Sequence, residues 1–504
     1  MASYEFGFDD FQNLGCHHLE DGKSVLIAAP TGAGKTIIGE FATFLAEKNG
    51  NRCFYTTPIK ALSNQKYQDL VKLYGDSEVG LLTGDSSINS EARIVVMTTE
   101  VLRNMIYAGS DAIEDLGYVV MDEVHYLADK FRGAVWEEIL IHLPERIQIV
   151  SLSATVSNAE EFGDWLKTVR GETEVVLSEI RPVPLYQHIL IGNRILDLFV
   201  DEGRVNPEIL RIEKNSIKKV PGGSKSWKES KFSSIKSLTR PEIVEKLSER
   251  GFLPAIFFIF SRAGCDGAVS SCIREGLSLT NSLEKEEIRR VIALKTHELP
   301  SEDFGVLGFH EWAQALERGI AAHHAGLLPM FKETIEELFQ RGLLKIVFAT
   351  ETLALGINMP ARSVVLEKLV KWNGESHVNV SPGEYTQLTG RAGRRGIDVE
   401  GNALILWNEQ MDSSIAAGLA STRTYPLRSS FSPTYNMSAN LISRFGHERA
   451  RKSLGFSFAQ FQADKAVVGL ARQIAKNEIA IKTLIEGSQS DLGDMGEYMK
   501  ARFA

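Results

Sequence analysis

The sequence predicts an α/β protein with two tandem parallel-sheet domains followed by a helical segment. Short apolar runs alternate with helix-period stretches over residues 24–152, and the same alternation returns over 255–366. Strands that alternate with helices favour parallel sheets, whose ligands bind beyond the carboxyl ends of the strands. At 504 residues the chain is also too long for one hydrophobic core. We expect domains at 1–180 and 181–415, then segments at 416–470 and 471–504.

Composition narrows the class of protein. The chain is 43% hydrophobic and 24% charged, which is ordinary for a globular protein, and its net charge of −9 gives no general attraction to nucleic acid. Four scattered cysteines lack the spacing of a zinc or redox site, so we interpret them as reduced packing residues. Neither a signal peptide nor a membrane-spanning run is visible, which predicts a cytoplasmic protein without a membrane partner.

A glycine-rich loop follows the first predicted strand. Ser24–Ala29 is apolar, the loop ends in Gly34-Lys35-Thr36, and a helix-period stretch runs to Asn49. Glycines let backbone N–H groups turn toward an anion at a helix N-terminus, where Lys35 reaches phosphates and Thr36 can hold Mg²⁺. The alternative is a tight turn with an incidental lysine. The sequence therefore predicts nucleotide binding by Ala29, Pro30, Thr31, Gly32, Ala33, Gly34, Lys35 and Thr36.

Two residues near this loop need comment. The strict phosphate-loop pattern has glycine at the position of Ala29, so only the Gly34-Lys35-Thr36 end of the loop matches that pattern. Gln12 precedes the loop, and its amide offers a donor and an acceptor to the edge of adenine. A surface glutamine is the alternative reading of Gln12.

An acidic pair follows the strand Tyr118–Met121. Asp122 suits a magnesium shell, and Glu123 suits a base that orients the attacking water. Such a pair after one strand is often accidental, but after a phosphate loop in the same sheet it predicts a hydrolytic centre. Ser153-Ala154-Thr155 ends a later strand and is either a turn or a link from the acidic pair to the opposite domain.

The second predicted sheet carries no phosphate loop but has two polar clusters. Residues 349–360 follow the strand Lys345–Thr350, and residues 387–396 contain arginines three apart, which lie on one helix face. A planar guanidinium matches a phosphate in two contacts. An arginine cluster is alternatively a solvated surface.

These motifs, in this order, resemble motifs I, II, III, V and VI of superfamily 2 helicases. Asp122-Glu123-Val124-His125 is the DEVH variant, which with residues 57–66 resembles the exosome-associated superkiller-type branch. The resemblance implies two RecA-like domains that share ATP and Mg²⁺, with Arg391 and Arg394 as arginine fingers and His125 and Gln387 in the catalytic set. It further implies nucleic-acid contacts at Pro58, Thr99, Ser261 and Thr352, a partial winged-helix segment at 416–470, and the start of a helical stalk, truncated, at 471–504.

Two other features have plainer interpretations. Residues 211–236 are rich in lysine and broken by Pro221-Gly222-Gly223, which is typical of a solvated insertion, although Trp227 and Phe232 make nucleic-acid contact an alternative. His323 and His324 have no metal-ligand spacing, so we expect them to be satisfied at a strand end.

The expected function is ATP-dependent translocation on, and unwinding of, single-stranded or partly duplex RNA, with nuclease or RNA-processing partners. The expectation of RNA over DNA rests on Arg395, because DNA-directed relatives typically have proline there. The alternatives are a DNA-directed helicase and a nucleotide-gated RNA clamp that separates no strands. The residues do not reveal the physiological substrate, the direction of travel or the partners.

Overall fold

The computed structural model describes residues 7–503 apart from 131, 202, 218–236, 355–358, 373–374, 409–410, 423, 466–476, 478–479, 482–483, 485–488 and 491–492. Within these residues two large sheets are covered by helices on both faces. The prediction of two parallel-sheet domains is confirmed. We call residues 9–177 the first lobe and residues 185–421 the second lobe.

The first lobe is built on an eight-stranded sheet in the order β4-β3-β5-β2-β6-β7-β1-β8. Every neighbouring pair is parallel except β3 and β4. Its strands are β1 Ser24–Ala28, β2 Arg52–Thr57, β3 Val79–Leu82, β4 Ser87–Ile88, β5 Ile94–Thr98, β6 Leu116–Met121, β7 Gln148–Ser153 and β8 Thr173–Leu177. Because β7 alone separates β1 from β6, the phosphate loop and the acidic pair meet at one edge of the sheet.

Within the described residues of this lobe, six helices flank the sheet, and their ends agree with the local sequence. They are α1 Asp10–Glu20, α2 Thr36–Asn49, α3 Lys60–Tyr74, α4 Thr99–Ala108, α5 Ala134–His142 and α6 Ala159–Arg170. Helix α2 stops at Gly50, which adopts φ +70° and caps the last carbonyls. The apolar side chains of the helices pack against continuous apolar strands, giving one core layer on each face of the sheet.

The second lobe is built on a seven-stranded sheet in the order β10-β9-β19-β16-β13-β15-β14. Only the β9–β10 pair is antiparallel. The strands are β9 Leu185–Ile191, β10 Arg194–Asp197, β13 Ala255–Phe258, β14 Ile320–His323, β15 Ile346–Ala349, β16 Ser363–Leu366 and β19 Gly401–Leu406. Two small hairpins pair β11 Phe199–Asp201 with β12 Arg204–Val205, and β17 Val370–Trp372 with β18 His377–Asn379.

The helices of the second lobe cover both faces of its sheet. They are α7 Pro207–Ile217, α8 Arg240–Glu249, α9 Arg262–Arg274, α10 Ser282–Lys295, α11 Phe309–Glu317, α12 Pro329–Gln340, α13 Pro382–Thr389 and α14 Ser413–Ser421. Several begin with capping side chains, such as Ser261 on α9 and Ser381 on α13, each of which accepts a backbone N–H of the first turn. Helix α13 carries Gln387 toward the first lobe.

Sequence reasoning placed the central strands well and missed others. Strand β19 extends the alternating pattern beyond the range 255–366, since it begins at Gly401 and lies between β16 and β9 inside the second sheet. Strands β8, β9 and β10 were also not predicted. Their residues mix exposed, half-buried and buried positions rather than forming a fully apolar run.

After α14 the chain returns to the first lobe. Tyr425 pairs with Val156, α15 Tyr435–Leu454 packs on α4, and the helical residues 458–465 pack on α5 and α6. The chain therefore crosses between the lobes twice, once after β8 and once after α14. The described residues of 416–470 are helical or irregular and contain no wing strand, so the winged-helix interpretation stays a prediction.

Two sequence predictions lie partly outside the described residues. In the basic stretch 211–236, residues 211–217 belong to α7. Residues 218–236, which include Trp227 and Phe232, lie outside the residues that the structure describes. Of 471–504, the described parts include a hairpin of β20 Gln489–Ser490 with β21 Gly493–Asp494 and the helix Met495–Phe503.

Candidate functional site: a cleft between the two lobes

The phosphate loop occupies the carboxyl end of β1. Gly32 and Gly34 have φ values of +82° and +87°, a left-handed conformation that favours glycine. The Lys35 ammonium folds back on the loop and donates to the carbonyls of Ala29 at 2.8 Å and Pro30 at 3.1 Å. Burial lowers the pKa of Lys35, while Glu123 and Asp122 act in the opposite direction. The loop thus brings its lysine beside the acidic pair.

Gln12 is fully buried against the loop. Its amide nitrogen donates to the carbonyl of Gly34 at 2.9 Å, and its amide oxygen accepts the backbone N–H of Asp9 at 2.8 Å. A Cβ on Gly34 would lie 2.8 Å from that amide nitrogen, so glycine is required by contact as well as by backbone conformation. The structure therefore shows Gln12 supporting the loop, and its contact with adenine stays a prediction.

The acidic pair follows β6, as predicted. The Tyr55 hydroxyl donates to Asp122 Oδ2 at 3.0 Å, and the backbone N–H of Glu123 donates to Asp122 Oδ1 at 2.9 Å. Burial and the neighbouring Glu123 carboxylate raise the pKa of Asp122. Glu123 itself has φ +53°, a strained conformation for a non-glycine residue that turns its carboxylate toward the second lobe.

His125 joins three parts of the cleft. Its Nε2 lies 2.8 Å from the Gln387 amide nitrogen, and its Nδ1 lies 3.4 Å from Glu123 Oε2 and 3.3 Å from the backbone nitrogen of Ala154. Burial and the nearby Lys35 lower the pKa of His125 to about 3, which keeps the imidazole neutral. Residues 153–155 are thus linked to the second lobe through the backbone N–H of Ala154, His125 and Gln387.

Arg391 completes the cleft from the second lobe. It lines a cavity of about 10 Å³ together with Thr31, Glu123, His125, Tyr126, Ala354 and Gln387. The Arg391 guanidinium donates to the carbonyl of Ala354 at 2.5 Å. Burial lowers the pKa of Arg391, and the Glu123 carboxylate acts in the opposite direction. A Cβ on Gly390 would lie 3.0 Å from the Thr31 side chain, so the lobes touch here. The cavity holds about one water, so entry of a triphosphate requires the lobes to separate.

The next two arginines have different partners. Arg394 forms a two-contact pair with Asp398, with both N···O distances 2.8 Å, and would have to leave this partner to act as an arginine finger. Arg395 instead reaches the first lobe, where its guanidinium donates to the carbonyl of Ala33 at 2.8 Å and pairs with Asp9. Sequence reasoning noted Arg395 only as a family marker and missed this contact.

The four predicted nucleic-acid residues all follow the carboxyl end of a strand, but they differ in exposure. Ser261 is exposed and Thr352 is partly exposed. Pro58 is buried, with its carbonyl bound by Arg132 at 3.1 Å, and Thr99 is fully buried, with its hydroxyl donating to the carbonyl of Thr57 at 3.0 Å. The side chains of Pro58 and Thr99 therefore offer no surface to a nucleic acid in this conformation, whereas the partly exposed Arg132 beside them does.

Other sequence interpretations can be compared with the structure. His323 and His324 are buried, with Nε2 atoms 2.9 Å from Glu336 and Asp266, and His324 Nδ1 also accepts the backbone N–H of Gly326 at 3.1 Å. The expectation of satisfied residues is confirmed for His324, whereas His323 Nδ1 is buried without a hydrogen-bond partner among the described residues. All four cysteines are buried and free. Over the described part of the chain, no cluster of three or more His, Cys, Asp or Glu residues has the arrangement of a metal site, and no helix is long and apolar enough to cross a membrane.

The sequence matches two family models, each on one lobe. Residues 9–162 match the DEAD/DEAH box helicase family, and residues 278–396 match the helicase conserved C-terminal domain. With the cleft geometry described above, these matches place the chain in the superfamily 2 helicases. The similar proteins that follow are consistent with the superkiller-type branch.

Similar proteins agree with this assignment. The chain is 55% identical to "Probable helicase HelY" of Mycobacterium tuberculosis over 99% of its own length and 56% of that protein. It is 40% identical to "Superkiller complex protein 2" of Mus musculus, over 99% of this chain and 41% of that protein. It is 38% identical to "DExH-box ATP-dependent RNA helicase DExH10" of Arabidopsis thaliana, over 99% of this chain and 51% of that protein. The chain spans about half the length of these relatives.

Proposed function

We propose that this chain is an ATP-dependent RNA helicase that couples ATP hydrolysis to translocation on RNA and to unwinding. The observation that carries the proposal is the cavity between the lobes, where Thr31 and Glu123 of the first lobe face Gln387 and Arg391 of the second. A phosphate loop on one side and a guanidinium on the other suit phosphoryl transfer to water.

The residues divide the work between the lobes. Lys35 and the loop N–H groups bind the β- and γ-phosphates, and Glu123 orients the attacking water. Arg391 stabilises the charge that develops on the γ-phosphate, but only while the lobes are closed. The contact of Gln387 with His125 links lobe closure to the acidic pair, because Gln387 lies on the second lobe and His125 lies beside Glu123. Opening of the cleft for exchange and closing for hydrolysis would then supply the motor movement.

The donor set fits Mg²⁺. The carboxylate of Asp122 and the hydroxyl of Thr36 are hard oxygen ligands at the edge where the phosphates bind, and the nucleotide supplies further oxygens. Repulsion between the neighbouring carboxylates of Asp122 and Glu123, which helps to raise the pKa of Asp122, is the kind of strain that a bound cation relieves. When bound, the ion neutralises phosphate charge.

RNA is the proposed nucleic acid because relatives over nearly the whole chain are named RNA helicases, such as DExH10. Arg395 does not strengthen this choice, since it contacts the nucleotide loop and not the edge that carries Ser261 and Thr352. Contacts from hydroxyl and backbone groups at that edge go to phosphate and sugar, so binding should tolerate many sequences. Nuclease or RNA-processing partners are part of the same proposal.

The test combines RNA-stimulated ATP hydrolysis with strand displacement on matched RNA and DNA duplexes. Glu123→Gln should keep nucleotide binding and slow turnover about 10²- to 10⁴-fold, because the base is lost while its shape remains. Lys35→Ala should abolish nucleotide binding or turnover. Glu91→Gln, an exposed acid in the same lobe, is the matched control and should behave as the unmodified chain.

Three outcomes would contradict parts of the proposal. Normal turnover by Glu123→Gln would remove Glu123 as the base. Opening of DNA duplexes with no opening of RNA duplexes would replace the RNA helicase by a DNA-directed one. Hydrolysis that RNA stimulates without any strand separation would favour a nucleotide-gated RNA clamp.

A further inference from the structure

Arg395 lies on the loop after α13 and is bonded to two separate elements of the first lobe. Its Nη1 donates to the carbonyl of Ala33 at 2.8 Å and lies 2.9 Å from Asp9 Oδ2, and its Nη2 donates to Asp9 Oδ1 at 3.1 Å. One guanidinium therefore satisfies a carboxylate in two contacts and a backbone carbonyl of the phosphate loop. Such a planar arrangement of donors is specific to arginine.

The partners of Arg395 are themselves connected. The backbone N–H of Asp9 donates to Gln12, and Gln12 donates to the carbonyl of Gly34 and, at 3.4 Å, to that of Ala33. The Ala33 carbonyl is thus approached from within the first lobe by Gln12 and from the second lobe by Arg395. This network bonds the loop at Ala33 and Gly34, whereas Lys35 bonds the carbonyls of Ala29 and Pro30.

We propose that Arg395 is a positioning residue that couples closure of the two lobes to the shape of the phosphate loop. We call Asp9, Gln12, Ala33 and Arg395 the loop latch. When the lobes close, Arg395 fixes the start of α1 and the loop together, and the loop then holds nucleotide more tightly. When the lobes part, both contacts of Arg395 are lost at once and the loop is released for exchange.

The neighbouring arginines make this role distinct. Arg391 is buried and lines the cavity with Glu123, where charge changes during hydrolysis. Arg394 is bound to Asp398 on its own loop. Arg395 is partly exposed and bonds only groups outside that cavity among its described contacts, so it acts through the loop rather than on the reacting atoms. The inference rests on the proposed ATPase, because the latch regulates its nucleotide site.

The test is a kinetic comparison of Arg395→Ala, Arg395→Lys and Asp9→Asn in the presence of saturating RNA. Arg395→Ala should raise KM for ATP about three- to tenfold, as expected for a partly exposed charged contact, with kcat changed less than about twofold. Arg395→Lys should recover part of the loss, because an ammonium can keep one of the contacts. Arg341→Ala breaks an arginine–glutamate pair of similar exposure, with Glu337 of α12, and should leave KM unchanged.

A double-mutant cycle identifies the pair. If Asp9 and Arg395 act together, Asp9→Asn combined with Arg395→Ala should cost no more than the more damaging single change. Additive losses, an unchanged KM, or a fall of kcat by about 10³-fold or more with normal KM, the signature of an arginine finger, would each overturn the latch.

A direct binding measurement separates failure of the latch from failure of the proposed function. Affinity for a fluorescent ADP analogue, measured with RNA, should fall in Arg395→Ala by the same factor as KM rises. If the unmodified chain bound the analogue but hydrolysed no ATP, the proposed enzyme would be wrong. The latch would still be tested, because equal affinities of the unmodified chain and Arg395→Ala for the analogue would contradict it.

Discussion

The first lobe has two interfaces with the rest of the chain, and they are built differently. The interface with residues 425–465 has an apolar centre, with Leu427 and Phe458 fully buried in the first-lobe core, and Phe458 lies 5.2 Å from the rings of both Phe162 and Trp165. The cleft interface is polar. It consists of separate hydrogen bonds and ion pairs around a cavity, such as those made by Gln387 and Arg395.

The difference shows which part can move. Burial of a Leu or Phe side chain stabilises by roughly 1.5–3 kcal/mol, and the backbone of Leu427 is further bonded to Asn158 at 2.6 and 2.8 Å. The polar cleft contacts exchange readily with water, so their net stabilisation is small. Residues 425–465 should therefore stay on the first lobe while the cleft opens and closes.

The largest expected effect comes from breaking the apolar interface. Phe458→Ala should lower the free energy of unfolding of the first lobe by about 3–5 kcal/mol, because it leaves a cavity between Phe162 and Trp165. Urea unfolding followed by tryptophan fluorescence measures this loss. Phe456→Ala is the control, since that residue is 42% exposed and its backbone carbonyl, which accepts the Trp165 indole N–H, is kept in the variant. Equal losses in both variants would mean that burial of Phe458 does not hold the interface.

A smaller effect concerns pH at the same interface. Glu137 is fully buried, accepts bonds from the Ser429 hydroxyl and, at 2.7 Å, from the backbone N–H of Phe458, and burial raises its pKa to about 7. Its protonated form is favoured in the folded chain, so its contribution to stability is complete below about pH 4.5 and is lost as pH rises to about 7.

Glu137→Gln should remove this slope, which amounts to at most about 1.4 kcal/mol per pH unit. The measurement is the urea midpoint of the first lobe between pH 5 and pH 8 for the variant and the unmodified chain. The exposed Glu160→Gln should keep the slope of the unmodified chain. A slope that survives in Glu137→Gln would show that another group titrates.

The smallest effect is expected at the cleft. Gln387→Ala removes the 2.8 Å contact with His125 and should lower ATP turnover about tenfold, the equivalent of one charged or buried hydrogen bond. The free energy of unfolding of the first lobe should stay the same. Turnover at saturating ATP and RNA is the measurement, with Gln314→Ala on α11 as control. A marked loss of stability without loss of turnover would contradict the division between the two interfaces.

Much of the fold could be predicted because the central strands are continuous apolar runs. Strands β2 and β16 and helix α12 lie within the ranges 24–152 and 255–366, where the sequence predicts alternating strands and helices. The strands at or near the sheet edges could not be predicted in the same way, since β8 and β9 mix exposed and buried residues. Strand β19 lies beyond the predicted alternation, and the close contact of Gly401 with Ala392 and Gly393 explains the glycine at its start.

The candidate site divides along the same line. Lys35, Asp122 and Glu123 could be predicted because local sequence places each beyond the carboxyl end of a strand. Arg391 was predicted from arginines three apart on a helix face, but α13 ends at Thr389 and Arg391 lies on the loop beyond it. Arg394 pairs with Asp398, which is only four residues later, so the local sequence could have indicated this ion pair. The contacts of Gln12 with the loop and of Arg395 with Asp9 join residues from distant parts of the chain, so only the tertiary structure reveals them.

The double crossing of the backbone between the lobes limits how the molecule can work. One connection leaves β8 and the other returns from α14 to Val156, and the returning end is fixed by the buried Phe458. Two fixed points define a pivot axis, so sliding of one sheet along the other would strain both connections. The remaining freedom is rotation about that axis, and each ATP consumed would then yield a swing of set direction rather than a random separation.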